Sequence, residues 1–77
     1  MTVYDFCSLC NEECRHNTVV SIWDFTEEDV VFVGTMQEAK HSEFANYLVH
    51  SFDVCEKREG LHGVIELNID TWEGERA

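Results

Sequence analysis

The sequence predicts an α+β domain with the element order α-β-β-α-β-β: an antiparallel four-stranded sheet, an N-terminal amphipathic helix packed on one face, and a short second helix. Three observations carry this. Apolar residues follow a helical period over the first fourteen positions, the period changes to that of strands from Thr18 onward, and two T-x-x-acid signatures mark helix starts at Thr2 and Thr35.

The first helix begins at Thr2, whose hydroxyl can accept from the backbone three residues on, with Asp5 placed to reciprocate. Val3, Phe6, Cys7, Cys10 and Cys14 then share one side, whereas Asp5, Ser8 and Glu12 lie away from it. Arg15 and His16 put cations at the negative end of the helix, and Asn17 suits its stop. TVVSIWDF and VVFVGT are β-branched and aromatic runs separated by Thr26, Glu27, Glu28 and Asp29, the pattern of a hairpin. Both of its faces are apolar: Val20 and Ile22 point one way, and Val19, Trp23 and Phe25 the other. The second side therefore requires a cover, and a homodimer is one way to supply it.

Thr35 and Glu38 start the second helix, expected over about Met36 to Asn46. Leu48, His50, Phe52 and Val54 alternate with Val49, Ser51, Asp53 and Cys55. After the EKREG loop, Leu61, Gly63, Ile65, Leu67 and Ile69 alternate with His62, Val64, Glu66, Asn68 and Asp70, giving the second strand pair. Residues 70–77 read as a polar tail in which Trp72 is the residue able to pack back. With no proline, repeat or linker, residues 1–77 form a single small acidic domain.

Sixteen acidic and five basic residues give a net charge of −11 over 77 residues. A chain of this length buries only about 60–65% of its unfolded surface, which argues against a deep, enclosed active site. The scattered cations Arg15, Lys40, Lys57, Arg58 and Arg76 argue against direct capture of nucleic acid or anionic lipid, because phosphate binding needs clustered Lys and Arg. No run of apolar residues is long enough to span a membrane, and MTVYDFCSLC lacks the cationic start and apolar core of an export signal. The expected setting is a reducing cytoplasm with free thiols.

Cys7, Cys10, Cys14 and His16 have the residue types of a tetrahedral zinc site. On one continuous helix, however, Cys7 and Cys14 lie about 10 Å apart along the axis, whereas two sulfurs on one zinc lie within about 4.6 Å of each other. The reading is therefore small core residues with no metal and no cofactor, and a zinc-binding interaction module is kept as an alternative. Cys55 falls on the sheet side away from the helix. His50 and Cys55 point to opposite faces of a strand, so they form no nucleophile pair. Phosphate loops, nucleophile elbows and zinc-protease motifs do not occur. Catalysis has the least support of any class, and the expectation is a protein that is not an enzyme.

The carboxylates carry the remaining signal. Asp24, Glu27, Glu28 and Asp29 cluster at the first hairpin tip, while Asp53, Glu66 and Asp70 fall on the outward face of the last strand pair. Strands set carboxylates in rows on a scale comparable to a nucleic-acid backbone, and a basic groove built for phosphates attracts such a surface. For each acid taken singly, solubility is the plain explanation, but the total exceeds the magnitude of about 2–8 that suits a small domain.

The N-terminal helix, the SIWDF strand, the acidic turn, SFDV…VIELNID and the acidic tail resemble the small acidic proteins of bacteriophages and prophages. Some of these inhibit host defence, including anti-CRISPR proteins and nucleic-acid mimics. That resemblance implies a bacterial cytoplasmic protein that binds the basic surface of a host nucleic-acid-processing complex. The contacts would be Asp24, Glu27, Glu28, Asp29, Asp53, Glu66 and Asp70, with Trp23 and Phe25 as aromatic anchors. A nucleotide-signal sponge is a second alternative, and it would need Arg15, Lys40, Lys57 or Arg58 around the phosphates.

Overall fold

The computed structural model describes residues 1–55 and 63–73. The elements are α1 (Val3–Ser8), α2 (Glu12–Asn17), β1 (Thr18–Asp24), β2 (Asp29–Thr35), α3 (Met36–Lys40), β3 (Ser51–Cys55), β4 (Gly63–Ile69) and a closing 3-10 turn, Thr71–Glu73. The EKREG loop with Lys57 and Arg58, and the tail after the 3-10 turn, lie outside the described residues. Among the described residues, no helix is long and apolar enough to cross a membrane.

The class is α+β with four strands, but the sheet is mixed rather than wholly antiparallel. Its order is β2-β1-β4-β3, with β1 and β4 parallel at the centre and each flanked by an antiparallel partner. Both expected hairpin pairs form. The parallel pair arises because residues 36–50 carry the chain across the sheet from the β2 edge to the β3 edge, and β4 then fills the space beside β1. Parallel neighbours need a crossover of this kind.

The expected first helix is two helices. Thr2 and Asp5 form the reciprocal cap, each accepting from the other's backbone N–H at 3.1 Å. That bond, made to the backbone N–H of Thr2, also holds the Asp5 carboxyl below its ordinary range. Beyond Ser8 the chain leaves the helix. Asn11, in an extended conformation, restarts it by accepting from Cys14 N–H at 3.0 Å, and Glu12 and Glu13 occupy the new first turn. The second predicted helix stops at Lys40 rather than Asn46. The Ser42 hydroxyl donates to the Ala39 carbonyl and accepts from Phe44 N–H, offering the backbone a turn in place of another helical bond.

One face of the sheet carries the core. Val20 and Ile22 of β1 and Leu67 and Ile69 of β4 are fully buried against Val3, Cys7, Met36 and Ala39 of the helices. This is the inward set expected from strand alternation. Phe32 joins it beside Gly34, which the pairing sets opposite Val20. A Cβ on Gly34 would lie 3.0 Å from both the Phe32 ring and the Glu38 carboxylate, which accepts from Thr35 N–H in the α3 cap. Gly34→Ala is therefore expected to destabilise by about 1 kcal/mol through displacement of that cap, as read from urea unfolding.

Candidate functional site

β1, β2 and β4 bring three chain segments together at one end of the sheet. The first is the β1–β2 turn, in which Glu28 takes a positive φ of 53° and donates its N–H to the Asp24 carbonyl at 2.8 Å. The second is Asp70 with the 3-10 turn. The third is His50, whose ring meets Phe25 edge-on at 6.2 Å between centroids.

Asp24 organises this end and is not part of its surface. Its side chain is fully buried, with Oδ1 accepting from Thr26 N–H at 3.1 Å and Thr71 N–H at 2.9 Å, and Oδ2 accepting from the Thr71 hydroxyl at 2.7 Å. Burial alone would raise its pKa. The hydrogen bonds from Thr71, Thr26 and Glu27 outweigh burial and leave the carboxyl below its ordinary range. The mirror contact is made by Asp70, which accepts from the Thr26 hydroxyl at 2.5 Å, while Trp72 N–H donates to Thr26 Oγ1 at 2.9 Å and Asp70 Oδ1 at 3.0 Å. Two Asp–Thr pairs thus cross between the hairpin turn and the C-terminal segment, and Phe25 N–H donates to the Ile69 carbonyl at 2.9 Å. Residues 70–73 are tied into the fold rather than trailing from it.

This bracing displays two aromatic side chains among acids. Trp72, expected to pack back, is 85% exposed, and Phe25 is 50% exposed. Glu27, Glu28 and Asp29 are exposed around them, with Asp70 half-buried. At this end an open cleft of about 500 Å³ is lined by Glu27, Asp29, Val30, Val31 and Phe44 together with Asp24 and Thr71. The remaining predicted contacts lie elsewhere. Trp23, half-buried, and the Asp53–Glu66 neighbours sit on the sheet face opposite the helices.

The predicted set therefore divides in two, and Asp24 leaves it for a bracing role. Trp72, Thr71 and Thr26 are the residues that sequence reasoning missed. Their signal is the spacing D-F-T at 24–26 and D-T at 70–71, an Asp one or two residues before a Thr, which is a local-turn pattern.

The cysteines occupy a different region. Cys7 is buried in the core, and burial pushes its thiol up to about 11. Cys10 and Cys14 are half-buried, and none of the three is part of a disulfide. The continuous helix assumed for the zinc argument is broken at Leu9–Asn11. Even so, among the described residues no group of three or more His, Cys, Asp or Glu side chains is arranged to hold a metal.

The described cations are engaged: Arg15 donates to the Gln37 side chain at 3.0 Å and the Cys10 carbonyl at 2.6 Å, and Lys40 lies 5.0 Å over the Tyr4 ring. A second open cleft, about 650 Å³ and mostly apolar, lies between Phe6, Leu9 and Phe52. Neither cleft has a Lys or Arg in its lining. No family model, curated protein or solved structure matches the chain.

Proposed function

We propose that the chain is a non-catalytic binding protein whose acidic, aromatic sheet end engages the basic, nucleic-acid-binding surface of a protein partner. The observation that carries this reading is the pair of exposed rings, Trp72 and Phe25, held among Glu27, Glu28, Asp29 and Asp70 by the crossed Asp–Thr pairs. Exposed tryptophan is an anchor residue type in protein interfaces, and carboxylates around it supply steering and register toward a cationic surface. Because the turn is braced before contact, little ordering entropy is lost on binding. The sequence resemblance to phage inhibitors extends the proposal to a host defence complex that handles DNA or RNA.

The test is capture of partners from a bacterial lysate on the immobilised chain. Retention of the captured partner is expected to fall steeply between about 50 and 200 mM salt and to be competed by DNA or RNA. The double variant Glu27→Lys/Glu28→Lys is expected to lower affinity by about 100-fold or more. Retention indifferent to salt, to nucleic acid and to charge reversal would overturn the reading.

A further inference from the structure

We propose that the free edge of β3 is a strand-addition site, and that its occupant is an extended segment of another protein, apolar and basic at alternate residues. This goes beyond the reading of the sheet end and does not rest on it. In the order β2-β1-β4-β3 the strand β3 is an edge, paired with β4 on one side alone. Just before it, the chain already takes a neighbour on the other side. Met1 and Thr2 lie antiparallel to Leu48 and Val49: Thr2 is opposite Leu48, Val49 N–H donates to the Met1 carbonyl at 2.9 Å, and Val3 N–H donates to the Tyr47 carbonyl at 3.0 Å. Met1 and Thr2 thus begin a further strand, and among the described residues none continues it along Ser51–Cys55.

Backbone groups alternate in direction along a strand that lies between two antiparallel neighbours. Val49 N–H turns to Met1 and His50 N–H to the Asn68 carbonyl at 2.8 Å, so Ser51 and Asp53 turn their backbone groups to the free edge. They fit an extended backbone in line with Met1 and Thr2. Beside the same edge lies the apolar cleft of about 650 Å³, whose lining includes Met1, Leu9, Val49 and Phe52. Phe52 shares the helix side of the sheet with its neighbour Leu67, and its ring lies 5.2 Å from that of Phe6, yet it is 51% exposed. Val54, on the same side, is 73% exposed. In an added strand the residue opposite Phe52 projects into the cleft, and the one opposite Val54 covers it. Residues between these project to the open face, opposite the helices, where Asp53 lies beside Glu66. A Lys or Arg there stands directly across from the Asp53 carboxylate. Main-chain bonds then supply affinity, and the cleft supplies side-chain selection.

A second copy of this chain fits poorly. Antiparallel pairing of two β3 strands about Asp53 sets the two carboxylates directly opposite each other. Pairing about Phe52 lays the second copy's Cys55 against Val49, where Met1 already sits. Pairing about Val54 overlaps residues 53–55 alone. The other edge of the sheet, β2, is interrupted by a bulge opposite Ile22 and Trp23, which breaks the row of groups a new strand would use.

The probe is a synthetic peptide of about eight residues alternating Val and Lys, long enough to span β3. One control is N-methylated at its Lys amides, which face β3 when Lys projects to the open face. A second has the same composition with all Val before all Lys. At about 150 mM salt the parent peptide is expected to bind at least about tenfold more tightly than either control. The Ser51 and Asp53 amides are expected to exchange freely in the chain alone and to gain protection with the peptide. Leu9→Asp, confirmed as folded from its amide spectrum, is expected to lower affinity about tenfold, because Leu9 lines the cleft and is 73% exposed.

Binding of the N-methylated control as tightly as the parent would overturn the proposal, since charge and apolar contact would then suffice without strand pairing. So would Ser51 and Asp53 amides already protected in the chain alone, which would mean that the edge is covered by the chain itself or by a second copy. Loss of lysate capture on reversing Glu27 and Glu28 reports on the sheet end alone, so the two ideas fail separately.

Discussion

Asp24→Ala is expected to destabilise the domain by about 2–4 kcal/mol, because it removes the buried acceptor of three hydrogen bonds. Thr26 N–H, Thr71 N–H and the Thr71 hydroxyl all converge on this one buried carboxylate. Asp24→Asn keeps a carbonyl oxygen for the two amides and loses the charge, so about 1–2 kcal/mol is expected. Urea unfolding at neutral pH measures both. The effect reaches the surface as well: without Asp24, Thr71 is no longer held against the hairpin, and Trp72 and Phe25 are left braced by the Asp70–Thr26 pair and the Phe25–Ile69 backbone bond.

The acid dependence follows from the direction of the shift. The Asp24 carboxyl titrates lower in the folded chain than its ordinary value of 3.8. Its contribution is therefore complete above that value and disappears as pH falls through the lower folded value. Asp5 shifts the same way, held down by its bond to Thr2 N–H, and adds a contribution in the same window. Stability should thus be flat near neutrality and decline below about pH 4, with Asp24→Asn declining less because its share is already gone. An identical acid limb in wild type and Asp24→Asn would remove Asp24 as the brace.

Local chemistry was legible in the sequence where a single segment carries all of it. The Thr2–Asp5 and Thr35–Glu38 caps are each closed within four residues, and the structure contains both. Inward positions Val20, Ile22, Leu67 and Ile69 follow from alternation alone, since a strand with one buried face leaves its register little freedom. The break after Ser8 was also written in the sequence, as Asn11 followed by two glutamates, but the continuous apolar stripe from Val3 to Cys14 masks it.

The β1–β4 parallel pair was not legible. It depends on which edge the 36–50 segment reaches, a tertiary choice made by how α1 and α3 cover the core. The same limit applies to the site. Asp24 and Glu27 look alike as acids flanking a turn, and the difference between them is set by Thr71, 47 positions away from Asp24 in the chain. Strand parity, which placed Asp53 and Glu66 on the open face, says nothing about contacts made by a segment beyond the last strand.

Leu67→Ala is expected to cost about 2–5 kcal/mol, a large fraction of the roughly 4–12 kcal/mol that stabilises a domain of this length. Leu67 is fully buried and lies between Ile22 on the parallel side and Phe52 on the antiparallel side, so truncating it opens a cavity where all three meet. Val33→Ala on the open face removes less contact and is expected to cost under about 1 kcal/mol. The two are compared by the shift in urea midpoint at unchanged slope. β4 is also the element through which the C-terminal segment is attached: it ends at Ile69, whose carbonyl holds Phe25 N–H, and leads directly to Asp70 and Thr71. Loss of Leu67 should therefore weaken partner binding only in proportion to the unfolded fraction, and cooling or a stabilising osmolyte should restore it. Under the proposed reading, charge reversal at Glu27 and Glu28 is instead expected to remove binding from a chain that remains folded. A Leu67→Ala protein that is fully folded by amide spectrum yet binds weakly would mean that the core shapes the acidic end directly, and that the crossed Asp–Thr pairs are insufficient to hold it.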